Sequence, residues 1–279
     1  MQTFKSFLIA AVLALWANVA LANDTSRTET FENVRAFSFI GEIDVTLVQG
    51  SDEKLVISGD ADVLKKAELS TKKGELTLES DSGFWGFLKS TEQTRISATL
   101  TVRQLEKLQP TGAIVLNAEA LSGKTLHLKS TGANQVRFTQ LDIERLNLSQ
   151  TGAGQVTIGQ FTGEQLRVEL SGASKLWADS LQAEEHAFGL SGASEIKVGN
   201  LNGEHIQADF SGASFLTITG TGEVRSQNIK LSGSGGYKAR ELQSATARVD
   251  ASGATTIELW ASSELDAKLT GSSTLRYRG

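Results

Sequence analysis

The chain has 279 residues, no cysteine, a single proline, 27 glycines and a formal net charge of −5. The lack of thiols excludes disulfides and cysteine-held metals, and the mild acidity argues against a nucleic-acid surface, which should be basic. A glycine-rich chain almost free of proline, filled with Ser, Thr, Val, Ile and Leu in its second half, suits many short strands joined by tight bends.

The first predicted element is "MQTFKSFLIAAVLALWANVALA". Lys5, the apolar run from Phe7 and the Ala20-Leu21-Ala22 site read as a secretory signal peptide, residues 1–22, cleaved after Ala22. The run is short, Asn18 interrupts it and no basic stop-transfer cluster follows, so a membrane anchor is the weaker reading. Residues 23–279 are expected to form one exported domain without a membrane-spanning helix. Its compartment would be the periplasm in a two-membrane cell, with the cell surface or exterior as alternatives.

Residues 23–108 read as irregular coils and a cap. "FSFIGEIDVTLVQG" (Phe37–Gly50), "KLVISG" and "ELTLES" alternate apolar and polar residues as half-buried strands do. "DADVLKKAEL" is predicted as a short helical turn closing the open end of a stack, since bare strand edges invite aggregation. "SDSGFWGFLKSTEQ", Ser80 to Gln93, interrupts the strands with Phe84, Trp85 and Phe87. These aromatics either fold back on the cap or form an exposed apolar docking tip.

From residue 109 a Ser/Thr-Gly step recurs at Thr111, Thr131, Thr151, Ser171, Ser191, Ser211, Ser232, Ser252 and Thr270, almost always 20 residues apart. A fixed period of this length is the mark of a solenoid. Counting the hydroxyl residue as zero, apolar side chains fall at positions 2, 5, 7, 10, 15, 17 and 19. In the unit from Ser191 these are Ala193, Ile196, Val198, Leu201, Ile206, Ala208 and Phe210. Two alternating strands per unit cannot close as a hairpin sheet, but they can form one coil of a right-handed parallel β-helix with about 20 residues per coil, each strand pairing with its copy in the next. Glycine at position 1 permits the bend. Alanine at position 2 is expected inside a narrow corner, and the position-zero hydroxyls form a column read as structural hydrogen bonding.

Chemistry is sparse. His127 and His205 fall on outward positions, and His186 takes a core slot in place of leucine. The three share no column, so no metal site is expected. "SGKT" (Ser122–Thr125) lacks the earlier glycine of a phosphate loop, Ala118 standing there instead. Asp209, Lys230, Asp250 and Lys268 occupy one outward column and are expected to form an ion-pair ladder, flanked by Arg167, Arg248 and Asp266. A glycosidase would instead need two carboxylates facing a cleft. Trp177, outward between Leu176 and Ala178, and Tyr237 after "SGSGG" are aromatic candidates for contact.

The "SGAS" and "TGAG" corners, the opening "FENVRAFSFIGEIDVTLVQG" and the ending "LTGSSTLRYRG" resemble the head GIN domain family, described as putative auto-transporter adhesin heads. The similarity runs from Glu29 to Gly279. It implies an exported, β-helical, non-enzymatic protein and transfers no catalytic or ligand residue; no translocator barrel accompanies it here. The expected function is a cell-envelope binding or structural module that contacts a protein or a polysaccharide, without cofactor, metal or nucleic acid, through Phe84, Trp85, Phe87 and Trp177. A polysaccharide lyase or hydrolase on the same scaffold is the alternative, and a homo-oligomer joined through uncapped ends is a third reading.

Overall fold

The computed structural model describes residues 24–80 and 95–279. The leader expected at 1–22 and the aromatics Phe84, Trp85 and Phe87 lie outside them. The described strands belong to one hydrogen-bonded network, wound as a parallel β-solenoid of about nine turns with about 20 residues per turn.

The repeat is the pairing register itself. Gln135 pairs with Gln155, Val136 with Val156 and Phe138 with Ile158, and the shift of one unit continues through Leu176, Ile196 and Leu216. Apolar positions therefore stack on their own copies. In the turn from Thr151, the side chains Val156, Ile158, Phe161, Leu166, Val168 and Leu170 are all buried, while Gln160, Gln165, Arg167 and Glu169 between them point outward. Each turn contributes a front strand after the glycine corner and a back strand before the next one. The two sheets enclose a single core.

At the corner, glycines 112, 132, 152, 172, 192, 212, 233, 253 and 271 all have φ between +73° and +116°, a region that side chains strain. The carbonyl of each faces along the stack. Gly172 O accepts the Ala193 N–H at 2.7 Å, and Gly192 O accepts the Ala213 N–H at 2.7 Å. A β-carbon on Gly192 would lie 2.6 Å from Gly172 O. Only glycine lets successive backbones approach this closely.

The corner corrects one expectation. Ala133, Ala153, Ala173, Ala193 and Ala213 are exposed, not inside. The left-handed glycine re-aims the chain, so the next residue faces solvent and donates its amide to the turn before. The interior slot belongs to position 3. There Ser174, Ser194 and Ser214 are buried, their hydroxyls donating to the Ser171, Ser191 and Ser211 carbonyls at 2.7, 2.8 and 2.9 Å. Asn134 fills the same slot with its amide satisfied. It donates to Pro110 O, Ser130 Oγ and Thr131 O and accepts the Ile114 N–H. The position-zero column contributes one direct hydroxyl pair, Ser171 to Thr151 at 3.1 Å.

The N-terminal region is wound out of chain order. Its elements are β1 (Asp24–Thr30), β2 (Ala36–Gly41), β3 (Ile43–Gln49), β4 (Lys54–Asp60), α1 (Ala61–Leu64), β5 (Ala67–Lys72), β6 (Glu75–Ser80), β7 (Ile96–Val102), β8 (Lys107–Gly112) and β9 (Val115–Gly132). The coil β2–β3 pairs on one side with β8–β9 and on the other with β6–β7. Thus β6–β7, later in sequence, lies outside β2–β3. Beyond it β4 and β5 run antiparallel, and β1 pairs antiparallel with β4. The helical turn predicted over "DADVLKKAEL" shrinks to α1, capped by the Asp60 side chain on the Asp62 amide. Lys65 and Lys66 then turn the chain, and Ala67–Leu69 open β5, whose Leu69 packs against the core.

Candidate functional site

The outward columns of the two sheets are the surfaces the fold can offer a ligand. On the front face, Trp177 sits on the strand Lys175–Gln182 with 39% of its surface exposed. Thr157 and Lys197 flank it in register. Lys197 Nζ stands 5.9 Å from the indole centroid and is held 2.9 Å from Glu195, within reach of a cation–π attraction. Phe215, 37% exposed, lies in register with Glu195. Its ring covers Gly236, where a β-carbon would come within 3.2 Å of it. The patch is therefore Trp177, Lys197, Glu195 and Phe215, presented on rigid strands. Sequence reasoning reaches Trp177 but passes over Phe215, although position 4 after "SGAS" is outward by the same alternation.

The back face carries a groove of ≈ 500 Å³ across four turns, lined by Lys107, His127, Lys129, Asn147, Ser149 and Arg167, among others. Two of its cations are engaged by carboxylates, Lys107 by Glu75 at 2.9 Å and Arg167 by Glu169 at 2.7 Å.

Farther along the same face the expected ladder is in register but unpaired. Asp209, Lys230, Asp250 and Lys268 are successive neighbours, yet none of these four is in an ion pair with another. The ion pairs in this region are Arg167–Glu169 along one strand and Arg248–Asp266 across one turn, at 3.0 Å. Exposed side chains hold such geometry only weakly against water and entropy, and the longer arginines reach partners that the aspartates and lysines do not.

Tyr237 also departs from expectation. It is fully buried, in register with Leu216 and Ile257, and its hydroxyl donates to Gln227 Oε1 at 2.7 Å. It is a core residue and offers nothing to a partner.

His127 and His205 are outward, the latter with Nδ1 2.8 Å from Ser226 Oγ. His186 is buried between Leu166 and Ile206 in its column. Its Nε2–H donates to Asn202 O at 3.0 Å, and its Nδ1 has no partner. Burial lowers its pKa, opposed in part by that hydrogen bond. The unfolded chain thus takes up a proton below about pH 6.5 that the folded chain resists, and stability falls as pH drops through that range. We expect the melting temperature to decline from pH 7.5 to pH 5, with a contribution from this residue of up to about 1.4 kcal/mol per pH unit. His186→Leu should stabilise the protein and flatten that part of the profile. A variant with an unchanged pH profile would show that His186 does not carry it.

Among the described residues no three His, Cys, Asp or Glu side chains gather to hold a metal, and no helix is long and apolar enough to cross a membrane. The sequence matches the family described as "Putative auto-transporter adhesin, head GIN domain" over residues 30–216 and 187–279. The chain belongs to the head GIN domain family. No curated protein gives a significant match. Solved structures share this fold at low identity. A putative adhesin from Parabacteroides merdae aligns with a TM-score of 0.66 and 16% identity, over 91% of this chain and 96% of that one. A putative lipid binding protein from Parabacteroides distasonis aligns at 0.61 and 14%, and a putative adhesin from Bacteroides fragilis at 0.53 and 17%, with the same coverage. At these identities the likeness concerns the fold.

Proposed function

We propose that this GIN-domain protein is an exported, non-catalytic binding module of the cell envelope that lays a polysaccharide across the turns of its front face. The observation that carries this reading is Trp177, an aromatic ring exposed on a rigid sheet instead of on a loop. Its flat face can stack on a pyranose ring, the pairing of large apolar area with low entropy that favours aromatic anchors. Arg137 and Thr157 precede it in the same outward column and Lys197 follows, so hydrogen-bonding side chains recur at roughly the 4.8 Å strand spacing. Kinship with proteins described as adhesins supports the class of function, and the leader expected at residues 1–22 supports export to the periplasm or surface.

Glycan-array binding should single out one polysaccharide class, and Trp177→Ala should weaken it at least tenfold while leaving the melting temperature within a few degrees. A reducing-end release assay on the bound glycan should show no turnover. Binding indifferent to Trp177→Ala, or carried only by a protein partner, would overturn the assignment.

A further inference from the structure

The outward columns of the front sheet differ in charge from the rest of the molecule. The chain carries a formal net charge of −5. Yet the column through Trp177 runs Arg137, Thr157, Trp177, Lys197, Thr217 and Lys238 on successive turns, without a carboxylate. Lys175 stands beside it, two residues before Trp177 on the same strand. Arg137, Lys175 and Lys238 are exposed, and among the described residues none of the three is in an ion pair. In the adjoining column, from Gln135 to Gly236, the one carboxylate is Glu195, and it is engaged by Lys197 at 2.9 Å.

Negative charge is concentrated elsewhere. On the side that links each front strand to its back strand, Glu144, Glu164, Glu184 and Glu204 follow one another turn by turn. The Glu164 N–H donates to Glu144 O at 2.8 Å, and the Glu204 N–H donates to Glu184 O at 2.9 Å. Of these four, only Glu204 has a cationic partner among the described residues, Arg225 at 3.0 Å. The solenoid is thus divided electrically, and such asymmetry steers a charged ligand away from one side and toward the other. The front cations are also spaced for a long ligand. Arg137 and Lys197 are three turns apart and Lys197 and Lys238 two, so at roughly 4.8 Å per turn their backbones stand about 14 and about 10 Å apart. Those gaps exceed the screening length of about 8 Å in physiological salt, so the cations repel one another little and each stays available.

We propose that the polysaccharide taken by this front face is anionic, a carboxylated or sulfated chain lying along the solenoid axis with one ring on Trp177, its acidic groups met by Arg137 on one side, Lys238 on the other and Lys175 beside the ring. This rests on the Trp177 reading above and adds the chemical class of the ligand. Arg137 supplies a planar fork that matches an oxyanion, and the lysines supply point charges on flexible stems. Glu195 works against such a ligand, because it repels the chain and occupies Lys197.

Titration calorimetry of the purified protein against a polyuronate, a sulfated glycan and a neutral glucan of equal length tests this. At least one acidic chain should bind about tenfold more tightly than the glucan, the sum of three exposed charge contacts, and the tighter of the two identifies the acid. Raising the salt from about 50 to about 500 mM should erase most of that difference. Arg137→Gln and Lys238→Gln should each weaken the acidic ligand about two- to fivefold, and Glu195→Gln should strengthen it by a similar factor. Lys230→Gln, at an exposed lysine of the back face, should change nothing. A neutral glucan bound as tightly as the acidic chains, and still lost in Trp177→Ala, would overturn the anionic assignment while leaving the stacking site in place. Equal losses in Arg137→Gln and Lys230→Gln would reduce the preference to bulk charge and overturn it as well. Binding of no glycan at all would remove both readings.

Discussion

Gly192→Ala is expected to destabilise the protein by about 2–6 kcal/mol, the combined scale of backbone strain and overpacking. Gly192 has φ +77°, and the added methyl would press on Gly172 O at 2.6 Å. That carbonyl cannot retreat, because it holds the Ala193 amide at 2.7 Å. Relief in one turn would displace the glycine of the next, which is stacked the same way. Urea denaturation should show a large fall in midpoint with the slope nearly unchanged. Gly189→Ala provides the contrast. This glycine lies in a back strand with no left-handed φ, and its nearest neighbour would be 3.7 Å from the new methyl, so the change should be neutral or slightly stabilising. Equal effects at the two sites would refute the stacked-corner explanation.

The second large effect concerns the hydrogen bond through the core. Gln227 and Tyr237 stand in otherwise apolar columns, Gln227 between Ile206 and Ala247 and Tyr237 between Leu216 and Ile257. Burial pushes the phenol pKa far up, so the hydroxyl stays protonated and serves as the donor to Gln227 Oε1. Tyr237→Phe removes the donor and strands a buried amide oxygen, which costs about 1–3 kcal/mol. Tyr237→Leu should lose more, since a cavity is added to the orphaned group. The double variant Tyr237→Phe/Gln227→Leu restores apolar columns on both sides and should be more stable than Tyr237→Phe alone. A thermodynamic cycle by denaturant unfolding measures the coupling. Additive effects would mean that the two side chains are independently tolerated and not a bonded pair.

The binding surfaces are only partly legible in the sequence. Trp177 is visible because strict alternation across "SKLWADS" leaves one orientation for it, and Phe215 follows from the same rule. The ladder of Asp209, Lys230, Asp250 and Lys268 has the expected register, but register places backbones, not the ends of flexible side chains, and the ion pairs form elsewhere. Tyr237 is legible too: it stands at position 5 after Ser232, an inward slot by the same count, and its pairing with Leu216 and Ile257 places it there. Composition places the alanine of "SGAS" inside, whereas the positive φ of the preceding glycine turns it out and gives the interior to the serine that follows.

The sequence by itself determined the coil. A 20-residue period carrying a corner glycine and inward apolar positions leaves one arrangement in which each strand pairs with its copy and the apolar columns meet, because pairing and burial share the same repeat. Tertiary structure alone decided the order of coils at the N-terminal end. There β6–β7 lies outside β2–β3 although it follows in the chain, since without a repeated corner the local patterns of the two coils are interchangeable and only the packing of β4, β5 and Ser80 against Gly41 chooses between them. It also decided where the chain packs its odd polar groups, since Gln227 and Tyr237 fill neighbouring apolar columns and meet through one hydrogen bond at 2.7 Å that no repeat position announces.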